Sequence, residues 1–344
     1  MALPTPWRVA VGAVVLLTVC TAPSAVHADP PGPTDFESSI VAVEPATDGI
    51  TPSIIGGDAF FALDVEPGLA VTVAGYQGEP YLEFSASGEV RENRNSPTYF
   101  MSQTKLGAPV PAGVTADSPP RWDVVATDGT YAWHDHRAHF MGTQPSGARG
   151  DVVAAAVVPL VVDGVAVDVR VETVWLASAS PWPAALGAVA GVLAAAGYIA
   201  TRRRPAAVSV AGGTAAAALA IGFVQYRSVP AVTSPSPVGW VLPATALAGA
   251  AAAAWLVRRP GWSVFAVGAL ALTGVELTIW AWTRRAGLTS AILPTDAPFW
   301  LDRAVTAGAG VVGVAVAGLA ALHLVELVTR PAGVSATAPR QDRT

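Results

Sequence analysis

Cysteine is almost absent: Cys20 is the only one in 344 residues. It falls in an N-terminal stretch that reads as removable, so disulfides, iron–sulfur clusters and thiolate zinc sites are excluded from the rest of the chain. Charge is scarce too, at 13% of residues against the roughly 25% of soluble domains, while 52% are hydrophobic. A chain so composed places part of itself in lipid. It also lacks a His-Glu-x-x-His pair, a phosphate-binding glycine signature and a Ser or Cys nucleophile motif, so it does not read as an enzyme.

The charges present are divided. The net is −5, but residues 29–180 hold 20 acidic against 7 basic side chains, and residues 181–344 hold 5 against 12. An acidic half followed by a basic half implies two environments and excludes nucleic acid as a partner, since a nucleic-acid-binding domain is basic.

Residues 1–28 have the form of a secretory signal: Arg8, the apolar run 9–19, then Val26-His27-Ala28, with a mature chain starting near Asp29. An uncleaved anchor is the alternative, against which the apolar core is short for a span. Lipidation of Cys20 is disfavoured because Val19 is the wrong size for that processing site.

From 29 to 180, short β-branched and aromatic runs alternate with Gly, Pro, Asp and Ser. The runs 39–44, 59–65, 69–76, 81–85, 122–127, 130–136, 152–162 and 165–176 read as strands. Asp128-Gly129 and Asp163-Gly164 read as hairpin turns. The pattern predicts an all-β, immunoglobulin-like sandwich as an extracytoplasmic domain. Residues 101–120, with four prolines, form a long loop, and long loops in compact domains tend to carry function.

From 181 to 330 an α-helical transmembrane bundle of about five spans follows, near 183–201, 206–225, 240–257, 262–282 and 304–328. With the first span running inward, eight arginines fall on the inner side against four outside, and the tail 331–344 lies disordered in the cytoplasm. Trp182, Trp240, Trp262, Trp280, Trp282 and Trp300 fall near span ends as an aromatic belt. The second span, interrupted by Gly212-Gly213, is the weakest, and its failure to insert would invert every later one. Only five residues separate 176 from Trp182, so the β domain must sit almost on the bilayer, capping the bundle.

Small residues four apart, as at Gly187 and Gly191 or at Ala309, Gly313 and Ala317, favour a compact bundle or a homo-oligomer. Acidic and histidine side chains within the spans are scarce: Glu276, His323 and Glu326. An intramembrane carboxylate is a functional hypothesis by default, yet a hydrogen bond to a neighbouring Thr explains Glu276 more simply. His323, Glu326 and Arg330 have the spacing of an interfacial ladder.

The most specific feature is the segment 131–141, Tyr-Ala-Trp-His-Asp-His-Arg-Ala-His-Phe-Met. All three histidines of the β domain, His134, His136 and His139, lie within six residues, with Met141 behind. On a strand His134 and His136 share a face about 7 Å apart, which suits two imidazoles on one metal. His139 joins them only if the strand breaks near Arg137-Ala138. Imidazoles suit copper, zinc or nickel, and a thioether from Met141 or Met101 tilts the set toward copper. The competing readings are a structural polar cluster and a catalytic base.

Four strings, Gly78-Glu79-Pro80-Tyr81-Leu82-Glu83-Phe84, Asn95-Ser96-Pro97, the Trp-His-Asp-His-Arg-Ala-His segment at 133–139, and Val158-Pro159-Leu160-Val161-Val162-Asp163-Gly164, resemble a group of bacterial envelope proteins of uncharacterised activity. The resemblance implies a signal peptide, a β-rich outer domain and C-terminal spans. A looser similarity in plan links the chain to secreted copper-resistance domains joined to membrane partners. It departs from them because the mature N-terminus, Asp29-Pro30-Pro31, lacks their initial His ligand. Two functions are therefore expected: transition-metal binding in envelope metal homeostasis, or a non-catalytic module docking another envelope protein.

Overall fold

The computed structural model describes residues 30–329, except 106, 143, 202, 230–232, 234 and 259–261. The signal segment, Cys20, Arg330 and the tail lie outside the described residues.

Among the described residues ten strands build two antiparallel sheets. They are β1 (Phe36–Glu44), β2 (Ile50–Ile55), β3 (Phe60–Val65), β4 (Val71–Ala74), β5 (Pro80–Phe84), β6 (Val90–Asn93), β7 (Trp122–Ala126), β8 (Thr130–Trp133), β9 (Val152–Val162) and β10 (Val165–Trp175). The larger sheet runs β1-β10-β9-β4-β5-β6-β7 and the smaller β2-β3-β8. One apolar core belongs to both: Phe61, Leu63 and Trp133 from the small sheet meet Val73, Leu82, Val158, Leu160 and Val169 from the large one. Each such side chain taken from water contributes about 1.5–3 kcal/mol, which lets a domain without disulfides fold by burial.

Asp163-Gly164 is the expected hairpin, pairing β9 with β10, with both residues at positive φ (47° and 83°). Asp128-Gly129 is not. β7 pairs with β6 and β8 with β3, so this dipeptide carries the chain from one sheet to the other. Gly129 is required there at φ 77°, because a Cβ would stand 2.5 Å from the Val65 carbonyl oxygen. Strands β2 and β6 add to the sequence reading, as does a short helix, α1 (Pro97–Met101), capped by the Ser96 side chain.

Five helices follow: α2 (Trp182–Thr201), α3 (Arg204–Ser228), α4 (Val238–Leu256), α5 (Val264–Thr283) and α6 (Phe299–Thr329). Among the described residues these five are long and apolar enough to cross a membrane, and each overlaps nearly all of a span expected from the sequence. The second is continuous through Gly212-Gly213. Helix α6 packs on α2 and α5, and α4 lies between α3 and α5.

The small residues make this packing possible. A Cβ on Gly187 would fall 1.9 Å from the Ala304 carbonyl oxygen, one on Gly222 2.0 Å from that of Gly239, and one on Gly274 2.5 Å from the Ala317 amide. These small faces are spent on contacts inside the chain.

The β domain rests on the α5–α6 connection. Thr34 and Ile292 form an antiparallel bridge, the Ala291 amide donates to Asp35 Oδ1 at 2.8 Å, and the Ala179 amide donates to the Thr289 carbonyl at 2.9 Å. Arg303, buried, holds that connection by donating to the carbonyls of Gly287, Ser290 and Ala291.

Candidate functional site

Strand β8 ends at Trp133, one residue before the first histidine. His134 and His136 therefore do not alternate along a strand, as the sequence pattern predicts. The cause is Asp135. It is fully buried and takes hydrogen bonds from Trp133 Nε1 (2.9 Å), the Arg137 amide (2.9 Å), Arg137 Nε (2.8 Å) and Arg137 Nη2 (2.7 Å). Satisfying this carboxylate folds the chain into a turn, closed by the Ala138 amide on the Asp135 carbonyl at 2.8 Å. Burial alone would raise the Asp135 carboxyl, but the charge and hydrogen bonds of Arg137 outweigh it and hold it below the usual range.

The turn brings His139 back between the other two rings. Its centroid lies 6.4 Å from that of His134 and 5.3 Å from that of His136. His134, 1% exposed, stacks on Phe60 at 4.1 Å and sets Nδ1 2.7 Å from the Ala59 carbonyl oxygen. His139, 2% exposed, sets Nε2 3.1 Å from the Lys105 carbonyl oxygen. Two ring nitrogens, His136 Nε2 and His139 Nδ1, are buried with no hydrogen-bond partner among the described residues. Burial, helped by the nearby Lys105 charge and the other two rings, lowers the His139 pKa to about 4. Burial also lowers that of His136, against the pull of the Thr104 carbonyl, the Asp135 charge and the Met101 carbonyl, neither carbonyl reaching hydrogen-bond geometry at Nε2. Burial therefore favours the neutral form of both rings, the form that can ligate a metal.

The long loop expected to be functional closes over this cluster. Lys105 supplies the carbonyl facing His139, and its ammonium pairs with the fully buried Asp58 at 2.8 Å. Gly107, at φ 82°, lies so close that a Cβ would stand 3.2 Å from His136 Cε1.

A second polar chain reaches His136 from the other side. Tyr76 stacks on its ring at 5.4 Å and accepts its backbone N–H at 2.8 Å, while Arg137 lies over the Tyr76 ring at 5.1 Å. The Tyr76 amide donates to Thr98 Oγ1, which donates to Glu79 Oε1, each at 2.7 Å. Ser96 Oγ and the Thr98 amide also donate to Oε1, and the Gln77 amide donates to Oε2. Three of the strings that carry the envelope-protein resemblance thus meet at one end of the domain. Tyr76, Lys105, Asp58 and Glu79 join the site only through the fold. The signals were present: Lys105 is the only lysine in the chain, and Ser96-Pro97 has the form of a helix cap followed by Pro at the first helical position.

The other candidates are placed differently. Among the described residues no three His, Cys, Asp or Glu side chains form a metal-ligand set. Met141 is 44% exposed, outside the buried ring cluster. In the bundle, Glu276 lies on α5 with Thr245 within hydrogen-bond reach and Oε2 buried without a partner. His323 sets Nδ1 2.8 Å from the Leu319 carbonyl oxygen and packs on Trp262, while Glu326 is exposed and Arg330 lies outside the described residues. The three do not form one site.

Comparison with known proteins finds no matching family model, no matching curated protein and no matching solved structure.

Proposed function

We propose that the chain is a multi-pass envelope membrane protein whose acidic β domain lies outside the membrane and holds a copper ion between His136 and His139. The observation that carries this reading is the pair of adjacent, neutral imidazoles, each with a buried ring nitrogen that has no hydrogen-bond partner. An unpaired buried polar atom costs roughly 1–3 kcal/mol, so its retention twice in neighbouring rings is best explained by a ligand. Two nitrogens and no free carboxylate favour copper over zinc, whose structural sites take four ligands. Asp135 is engaged by Arg137, and Asp58 by Lys105. His134 supports the pair from behind. The two sheets over one core also support an immunoglobulin-like reading of the domain.

The alternative is a non-catalytic docking module, in which the polar cluster only fixes the shape of the domain end. The internal satisfaction of Glu79 and Asp135 favours it. Equilibrium dialysis of the full chain in detergent against Cu(I), Cu(II) and Zn(II) separates the two. About one copper per chain, lost when His136 and His139 are both replaced by Ala, is expected. No metal retained by a folded wild-type chain leaves the docking module.

A further inference from the structure

A groove of about 820 Å³ opens between α2, α5 and α6 on the outside of the bundle. Its walls are apolar, with Ala196 and Ile199 on one side and Gly310 and Val314 on the other, and a single cation, Arg285, stands among its lining residues. The geometry of α2 and α6 explains why it is there. The two helices are in closest contact at Gly187, where a Cβ would fall 1.9 Å from the Ala304 carbonyl oxygen; one turn on, at Gly191, the corresponding gap is already 3.0 Å. Further along, Val192, Ala196 and Ile199 line the open side, while Tyr198 still lines a small gap with Val312 and Val316.

The groove has one polar end. Arg285 follows the C-terminus of α5, lies over the exposed Trp282 ring at 4.3 Å and donates to the Trp282 carbonyl. Its neighbour Arg284 is spent on Asp302, Gln225 and Thr306, so Thr306 marks the depth of the two arginines. From Thr306 the α6 wall runs to Ala315, nine residues further on. At 1.5 Å per residue this is about 13–14 Å, close to half of a hydrocarbon core of roughly 30 Å. An apolar slot that starts at a Trp–Arg pair, runs along α6 for about half of the hydrocarbon core and has an α2 wall reaching Ile199 near that helix's end has the dimensions and charge of a site for one lipid chain.

We infer that this groove binds one anionic phospholipid from the leaflet on the β-domain side, with an acyl chain between α2 and α6 and its phosphate on Arg285. The inference rests on the membrane placement of the five helices and is independent of the histidine pair.

The test is native mass spectrometry of the full chain released from nanodiscs made of phosphatidylglycerol or of phosphatidylcholine. The wild type is expected to retain one phosphatidylglycerol and at least tenfold less phosphatidylcholine. Arg285→Gln should lose that preference and Arg285→Lys should keep it. Ala196→Phe, at an exposed position lining the slot, should lose retention of both lipids while the chain remains monodisperse and folded by circular dichroism. Unchanged retention in Ala196→Phe, equal retention of the two lipids by the wild type, or no lipid retained would each overturn the inference. So would a homodimer that Ala196→Phe dissociates, because a second copy would then fill the groove.

Discussion

His136 and His139 lie with ring centroids 5.3 Å apart and planes tilted by 60°, and each keeps one buried ring nitrogen without a hydrogen-bond partner. Folding brings the two rings together, so a ligand held by both favours the folded state. Copper at 100 times its dissociation constant should therefore raise stability by about 2.7 kcal/mol. Thermal unfolding of the full chain in detergent should show the midpoint rising with copper for the wild type and not for the His136→Ala, His139→Ala double variant. An equal rise in both would place the metal elsewhere.

Asp135 is the residue that makes the turn. Asp135→Asn leaves Arg137, itself only 15% exposed, without its carboxylate. Removing one member of a buried pair costs about 3–5 kcal/mol. Chemical denaturation should show that loss, and copper binding should fall with it, because the fold of the turn brings His139 to His136. Full stability in Asp135→Asn would mean that the turn is set by other contacts.

Glu79 gives the domain a pH dependence. Burial raises its carboxyl, but hydrogen bonds from Thr98 and Ser96 outweigh that and hold its pKa below 4.5. A carboxyl depressed in the folded state stabilises fully above its unfolded pKa and ceases to do so as pH falls through the folded value. Glu79→Gln should cost about 1.5–3 kcal/mol at pH 7, the range for hydrogen bonds to a charged group. The gap between variant and wild type should close as the pH drops below 4.5. A gap independent of pH would assign Glu79 a purely steric role.

How legible this was in the sequence varied with the signal. The five spans were plain because about 20 apolar residues in a row have few other destinations. Strand β2 escaped because Thr51-Pro52-Ser53 interrupts it; the proline is tolerated because β2 is an edge strand. Strand β6 escaped because three of its four residues are polar, although Glu92 and Asn93 are buried against the Tyr81 hydroxyl and the Pro80 carbonyl. The histidine segment is visible as a cluster, but its pattern reads as strand. Its alternation of polar residues has period two, and the carboxylate–guanidinium fork that overrides this period is a tertiary fact. The unpaired nitrogens are likewise invisible until the loop through Lys105 and Gly107 is folded over them.

The helix contacts give a prediction outside the β domain. Gly187→Ala puts a methyl into the Ala304 backbone and should destabilise the bundle by about 1–3 kcal/mol through overpacking. Gly197→Ala on the same helix meets nothing within 4 Å and should be neutral or slightly stabilising. Thermal unfolding of both variants in one detergent checks this, and equal effects would argue against the close approach of α2 to α6.

X-ray absorption at the copper edge of the metal-loaded full chain reports directly on what surrounds the ion. A shell containing two imidazole nitrogens, with the outer scattering of their rings, is expected for the wild type, and its loss when His136 and His139 are both replaced by Ala. A shell of oxygen ligands alone, or a spectrum unchanged in that double variant, would contradict copper binding by the histidine pair.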